Sequence, residues 1–437
     1  MNMNVKPLGG RYLAIAIPAI IVQLTTFKIF YPSDTVRVCF QYFFLQGCGL
    51  YFLSTLFELF RPGRIVAGVL FLMMVFNPLF LWLANTVSSD ASFIGCSLLW
   101  VAVLLRMIDK PSRPLLFIHA ALLPVIFMIR YNAIYYPLVA GLAIVLSAYS
   151  RRGKALAILL PLIIMAGYIK YMVPGAGWQL ASNALYGYGK TYKTSLERPP
   201  ARYAVIDNMV RRYFDTLKTE KTLFDAVDPG TCFMRDGRTP LLRYAALRQQ
   251  EDPSQDQFTV WTRLGSFYGG YGAWLIRKDP PTFLKYYCWP NTIRYAMPPP
   301  ELATEYDSGF ATILMPYQFL HLVVNLFFSL ILALFATTKG IARAYPGFSK
   351  CLALMTGYWL LNMLFGILSA PVVLRYEVVI MIGCPAFSLL IVERLLAWEK
   401  NNVIEKSINS SSHGKEKHDH RRLRILPDLP VRLRGNR

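Results

Sequence analysis

The 437 residues carry 55% hydrophobic and 14% aromatic side chains but only 16% charged ones, with a formal net charge of +21. A water-soluble domain covers its surface with about a quarter charged residues, so a soluble globular fold is excluded, the more so because the apolar residues come in long unbroken runs rather than amphipathic stripes. The positive charge does not point to nucleic acid either. It gathers in the tail after Glu399 and in short connections between apolar runs, as on a cytoplasmic face beside anionic lipid.

About 20 apolar helical residues cross the hydrocarbon core of a bilayer. By that measure the chain reads, in order, as spans near 12–30, 38–60, 64–84, 91–108, 114–129, 132–150, 154–172, 313–336, 351–370 and 374–397. The first run leads into Tyr31-Pro-Ser-Asp34 rather than a small-residue cleavage site, so it reads as a retained segment and not a signal peptide. Segments 114–129 and 132–150 flank Arg130 and can equally form one re-entrant hairpin. The expected fold is an all-α polytopic membrane protein of about ten transmembrane helices, with one large mixed insert. Four blocks follow: an N-terminal transmembrane block 1–172, an extracytoplasmic insert 173–312, a C-terminal transmembrane block 313–397, and a basic, disordered cytoplasmic tail 398–437.

The connections alternate in charge. Arg61 and Arg64 share one loop, and the next, Asn85 to Asp90, has no cation. Arg106, Lys110 and Arg113 come next, then Arg130 by itself, then Arg151, Arg152 and Lys154. Beyond the insert stand Lys339, Arg343 and Lys350, a turn holding only Arg375, and the basic tail. With the Lys/Arg-rich loops in the cytoplasm, the positive-inside rule is met throughout. The insert, the Asn85–Asp90 loop, Arg130 and the Pro371–Arg375 turn then share the outer face.

The insert mixes aromatic and basic residues with Pro and Gly. Residues 201–220 and 240–250 read as helical, and Lys278-Asp-Pro-Pro-Thr-Phe-Leu reads as a helix start with prolines where a first turn tolerates them. Cys232 and Cys288 fall in this insert. On an oxidising outer face they either form a disulfide or remain two free thiols.

Several polar residues stand out against the apolar background. Asp90 opens a span with no cation adjacent in sequence. It can hold a divalent metal ion or act as a base, or cap its helix together with Ser88 and Ser89. Arg130 and Arg375 are isolated guanidiniums at outer span ends. Arginine grips phosphate bidentately and stays charged, although terminal arginines also snorkel routinely. Asp34 reads as a cap, and Glu58 and Glu393 as structural groups at cytoplasmic helix ends. His119 and His321, without a second ligand at metal spacing, read as packing or hydrogen-bonded histidines. No Walker loop, zinc signature, nucleophile elbow or dinucleotide fingerprint is present.

The order of features over residues 8–150 resembles the GT-C superfamily of membrane glycosyltransferases, of the protein-mannosyltransferase and aminoarabinose-transferase type. The stretch begins at Arg11-Tyr-Leu-Ala-Ile-Ala-Ile-Pro18 and runs through Phe30-Tyr-Pro-Ser33 and Val36-Arg-Val-Cys-Phe-Gln41. Asn77-Pro78 and Ser88-Ser-Asp90 follow. Pro371-Val-Val-Leu-Arg375-Tyr376 is similar to the Arg-Tyr element of these enzymes. Members of the superfamily usually begin with a further helix and an outer loop whose acidic residue is the catalytic base; this chain starts where that loop would end. In members, the segment matching 12–30 can also lie along the outer leaflet, which would reduce the spans to nine.

The resemblance implies sugar transfer from a polyprenyl-phosphate donor to an acceptor on the outer face of a bacterial inner membrane. Asp90 would be catalytic or metal-binding, and Arg130, Arg375 and Tyr376 would hold the lipid phosphate. The alternatives are a polysaccharide polymerase or ligase of the O-antigen type, and a transporter or non-catalytic membrane protein. Transporters tend to show paired repeats and charges at the bilayer midplane, and neither is evident.

Overall fold

The computed structural model describes residues 10–26, 35–85, 89–191, 199–219, 239–254, 256–299, 308–369 and 372–415. Every regular element among them is helical. From the N-terminus these are α1 (Gly10–Thr26), α2 (Thr35–Phe60), α3 (Arg64–Val75), α4 (Pro78–Asn85), α5 (Asp90–Asp109), α6 (Arg113–Ile129), α7 (Tyr136–Leu146) and α8 (Arg151–Thr191). There follow α9 (Ala204–Thr219), α10 (Pro240–Glu251), α11 (Gln257–Lys278), α12 (Pro280–Phe283) and α13 (Trp289–Ala296). The chain ends with α14 (Ser308–Thr337), α15 (Ile341–Ala344), α16 (Pro346–Ser369) and α17 (Val378–Lys415).

Among the described residues, six stretches are long and apolar enough to cross a membrane: Thr35–Phe60, Arg64–Asn85, Asp90–Asp109, Leu314–Thr337, Pro346–Leu368 and Val378–Ile404. Two shorter apolar helices, Arg113–Ile129 and Ala133–Leu146, lie among them. The chain is thus a helical membrane protein. Its outward-facing apolar side chains, such as Phe319, Leu326 and Leu330 on α14, suit lipid contact rather than water.

At one end of the bundle the basic loops meet and brace one another. Arg106 pairs with Glu58 at 2.8 Å, Glu393 accepts the Gly63 N–H at 2.6 Å, and Arg394 donates to the Phe60 carbonyl. The Tyr149 hydroxyl donates to the Ser112 carbonyl at 2.6 Å. Glu58 and Glu393 therefore do the structural work expected of them.

The Asn77-Pro78 step interrupts one span. Proline lacks the N–H that would continue the ladder and clashes with the carbonyl one turn back, so α3 stops and α4 restarts, with the Asn77 side chain accepting the Leu79 N–H at 3.1 Å. The Val75 carbonyl freed by the break would be costly in an apolar setting. It accepts from the side-chain amides of Gln23 (3.0 Å) and Gln46 (3.1 Å), and the Tyr42 hydroxyl links the two glutamines.

The described residues form two apolar cores. The larger lies between helices of the bundle, from Ala16 to Ala157 and from Leu314 to Ile391. The smaller runs from Trp178 to Cys288 and is rich in tyrosine. The expected boundary at 172/173 falls inside α8, a continuous helix of 41 residues that contributes Ala157 to the first core and Trp178 to the second. It stays helical because α11 supplies a second partner at very close range. A Cβ on Gly177 would stand 1.8 Å from the Gly265 carbonyl oxygen, and one on Gly272 would meet the Ala181 backbone at 2.8 Å. Small residues permit such backbone-to-backbone crossings. Gly177→Ala is accordingly expected to destabilise this layer by about 1–3 kcal/mol, the usual penalty of overpacking, read as a lower Tm in detergent; an unchanged Tm would mean that the helices do not cross this tightly.

Hydrogen bonds fix the rest of the small core. The Trp178 indole donates to the Trp261 carbonyl at 3.1 Å, and the Tyr268 hydroxyl donates to the Leu241 carbonyl at 2.6 Å. Buried Asp207 accepts from Tyr271 at 2.9 Å and pairs with Arg211 at 2.7 Å. Cys232 lies outside the described residues. Cys288 is buried in this core, and burial pushes the pKa of its thiol up. The expected Asp34 cap and most of the tail 398–437 also lie outside the described residues, but α17 continues as helix to Lys415, where a disordered tail was expected.

Candidate functional site

Four helix ends meet at the end of the bundle opposite the basic loops. Helix α5 begins at Asp90, which occupies the first turn where the helix dipole favours an acid. Helix α6 stops at Ile129, and Arg130 takes up an extended backbone (φ −152°, ψ 132°) that carries its side chain off the helix axis. Between α16 and α17 the chain forms one short 3-10 turn, Leu374–Tyr376, which presents Arg375 and Tyr376 together. The Glu377 N–H closes this turn on the Leu374 carbonyl at 3.0 Å.

These ends bring Asp90, Arg130, Arg375 and Tyr376 into one cluster. The Asp90 carboxylate lies 2.7 Å from the Arg130 guanidinium and 3.4 Å from that of Arg375. The Tyr376 hydroxyl accepts from Arg130 at 2.8 Å and from Arg375 at 3.5 Å. Both guanidinium carbons lie over the Tyr376 ring, at 5.1 and 5.2 Å. Arg130 also donates to the Ser89 hydroxyl at 3.3 Å. The Asp90 side chain is 1% exposed and each arginine 17%. Among the described residues the cluster therefore sets two guanidiniums against one carboxylate, with the acid fully buried and the arginines partly exposed.

This arrangement revises what was expected of each residue. Asp90, without a cation nearby in sequence, has two in space. Ser88 lies outside the described residues, and Ser89, the residue before the helix, makes no side-chain cap. Arg130 and Arg375 are not isolated; the acid holds them side by side. A divalent metal fits poorly at Asp90, because its carboxylate already faces two cations. No group of three or more His, Cys, Asp or Glu able to hold a metal occurs among the described residues.

A second polar cluster lies directly behind the Arg-Tyr turn, and sequence reasoning passed over its main member. Buried Glu377 accepts from the Asn362 amide at 2.5 Å and stands 3.8 Å from His321 Nε2. Asn362 in turn accepts from the Tyr135 hydroxyl at 2.6 Å. His321 contacts the Ala296 carbonyl at 3.3 Å, and its ring meets that of Tyr295 edge-on at 5.3 Å. Trp359 donates to Asn325, which also contacts His321. Glu377 thus ties the turn carrying Arg375 and Tyr376 to α14, α16 and the segment before α7. The signal that could have found it was a carboxylate at the start of an apolar run, since ionisable groups at membrane depth need partners. His119, by contrast, is the hydrogen-bonded histidine expected, accepting from the Trp100 indole at 3.0 Å.

If Glu377 holds the turn by accepting hydrogen bonds, Glu377→Gln keeps an acceptor and Glu377→Ala does not. The alanine variant is expected to lose about 1–3 kcal/mol through unpaired buried donors, and the glutamine variant clearly less, by thermal unfolding. Equal losses would show that charge, not hydrogen bonding, is what matters there.

The smaller core sits over this same end. The Asn291 amide of α13 donates to the Ile367 carbonyl of α16 at 3.3 Å, and the Leu374 N–H of the arginine turn donates to the Pro299 carbonyl at 3.1 Å. No protein-family model, curated protein or solved structure matches the chain.

Proposed function

We propose that the chain is a GT-C-like glycosyltransferase of a bacterial inner membrane, moving a sugar from a polyprenyl-phosphate donor to an acceptor on the outer face. The observation that carries this reading is the convergence of Asp90, Arg130, Arg375 and Tyr376 at the end of the bundle opposite the basic loops. The accompanying topology is about ten spans, or nine with α1 along the outer leaflet, with the smaller core as an outer-face cover over the arginines.

Two guanidiniums held side by side suit the oxygens of a phosphate, which they grip through charge-assisted hydrogen bonds. In the transfer, the bond between the sugar's anomeric carbon and the phosphate oxygen breaks, and the acceptor's hydroxyl oxygen bonds to that carbon. The departing lipid phosphate takes the electron pair, and Arg130 and Arg375 stabilise its growing charge. Asp90 orients the two arginines and keeps them charge-compensated before the lipid arrives. With its carboxylate engaged by both guanidiniums, it is not assigned the acceptor's proton, which leaves on the departing phosphate monoester, whose second ionisation lies near neutrality.

A pyrophosphate would also suit two arginines, so the polymerase or ligase reading is separated by the donor consumed. Purified protein in vesicles is expected to convert a polyprenyl-phosphate sugar to free polyprenyl phosphate when supplied with an acceptor. Consumption only of a pyrophosphate-linked glycan would favour the polymerase or ligase, and consumption of neither would count against both.

A further inference from the structure

We infer that the helical run Pro280–Ala296 lies within the membrane interface on the side opposite the basic loops, with its outward face against lipid acyl chains. The run is continuous: α12 passes through a π-type stretch, Leu284–Cys288, into α13. Its inward face, including Phe283, Tyr287 and Tyr295, is buried against protein. Its outward face carries Leu284, Trp289 and Ile293, exposed by 57, 62 and 57%, alongside exposed Lys285 and Thr292 and half-buried Arg294, and Met297 just beyond the run is exposed by 45%. Large apolar side chains gathered on an outward face are out of place in water, and a tryptophan among aliphatic and basic side chains is the composition of an interfacial segment.

The contacts of the run fix its depth. Helices rise by about 1.5 Å per residue, so Ile367, the acceptor of the Asn291 bond, stands about 31 Å along α16 from Pro346. His321, which touches the Ala296 carbonyl, stands about 24 Å along α14 from Thr337. Both counts start from the basic end of the bundle. Against a hydrocarbon core of about 30 Å, the run enters at the far boundary near Asn291 and descends by several ångströms to Ala296. Interfacial helices bury their apolar face by about 5–10 Å in the same way. Neighbouring α14 is itself outwardly apolar, with Met315 and Phe319 exposed, so the two elements form adjoining lipid-facing surface. Lys285, beside the Tyr286 ring at 5.1 Å, stands at the upper end of the run, where an ammonium reaches lipid headgroups.

Acyl chains are the occupant to which these depths commit, and a second copy of the chain or another protein would give a different result. The emission lost on Trp289→Phe isolates the signal of Trp289 from those of the other tryptophans. In phosphatidylcholine vesicles brominated near the upper part of the acyl chains, that difference emission is expected to fall by about half or more, while aqueous iodide leaves it nearly unchanged. Moving the probe by Ile293→Trp in the Trp289→Phe chain is expected to deepen the quenching by bromine. Quenching by iodide and not by bromine would place the run in water and overturn the inference. Quenching by neither would mean protein covers the face, and would overturn it equally.

Discussion

Asp90→Asn is expected to be among the most damaging single substitutions in the bundle. It removes the carboxylate facing both Arg130 and Arg375 while leaving two mostly buried guanidiniums side by side. Removing one partner of a buried ion pair typically costs about 3–5 kcal/mol, because the remaining charge is uncompensated. Like charges left together at a membrane-spanning helix end add to that. Removing one cation as well should return part of the loss, so Asp90→Asn with Arg130→Gln is expected to be more stable than the sum of the two single changes. A coupling of about 1 kcal/mol or more in a double-mutant cycle by thermal unfolding would bear this out. Strict additivity would mean that Asp90 does not compensate the arginines.

Arg375→Ala is expected to act on turnover more than on folding. The turn that carries Arg375 is also held by backbone bonds and by Glu377. If the guanidinium stabilises the departing phosphate, its loss should lower kcat by about 10²–10³, the usual effect of deleting one preorganised donor. Arg375→Lys restores charge without the planar fork and is expected to recover only part of the rate. A change confined to KM would instead assign Arg375 to ground-state binding.

The membrane character was legible because it depends on composition taken segment by segment. The grouping of Asp90, Arg130, Arg375 and Tyr376 at one end was legible from charge alternation alone. Their pairing was not: Asp90 and Arg375 come from opposite ends of the chain, and no local pattern announces that an acid sits behind two arginines. Glu377 was overlooked because the conspicuous Arg375-Tyr376 pair stands next to it, while its partners Asn362 and His321 come from two other helices. The boundary near 172 falls between the two cores but inside a helix, for a different reason. An apolar run ends there, but α8 does not, because Gly177 allows α11 to pack against it and continue the burial. The break at Pro78 was visible as a motif, yet the glutamines that satisfy the freed Val75 carbonyl come from α1 and α2 and carry no sequence mark.

The central claim is that the Arg130–Arg375 pair binds a lipid-linked phosphate, and selective stabilisation by that phosphate tests it most directly. A ligand at about one hundred times its Kd stabilises the folded state by about 2.7 kcal/mol. Polyprenyl phosphate is therefore expected to raise the Tm of the protein in detergent, whereas a polyprenol of the same length leaves it nearly unchanged, and Arg130→Gln with Arg375→Gln abolishes the difference between the two. Equal stabilisation by the alcohol and the phosphate, or a phosphate-specific rise that persists without both arginines, would contradict the account.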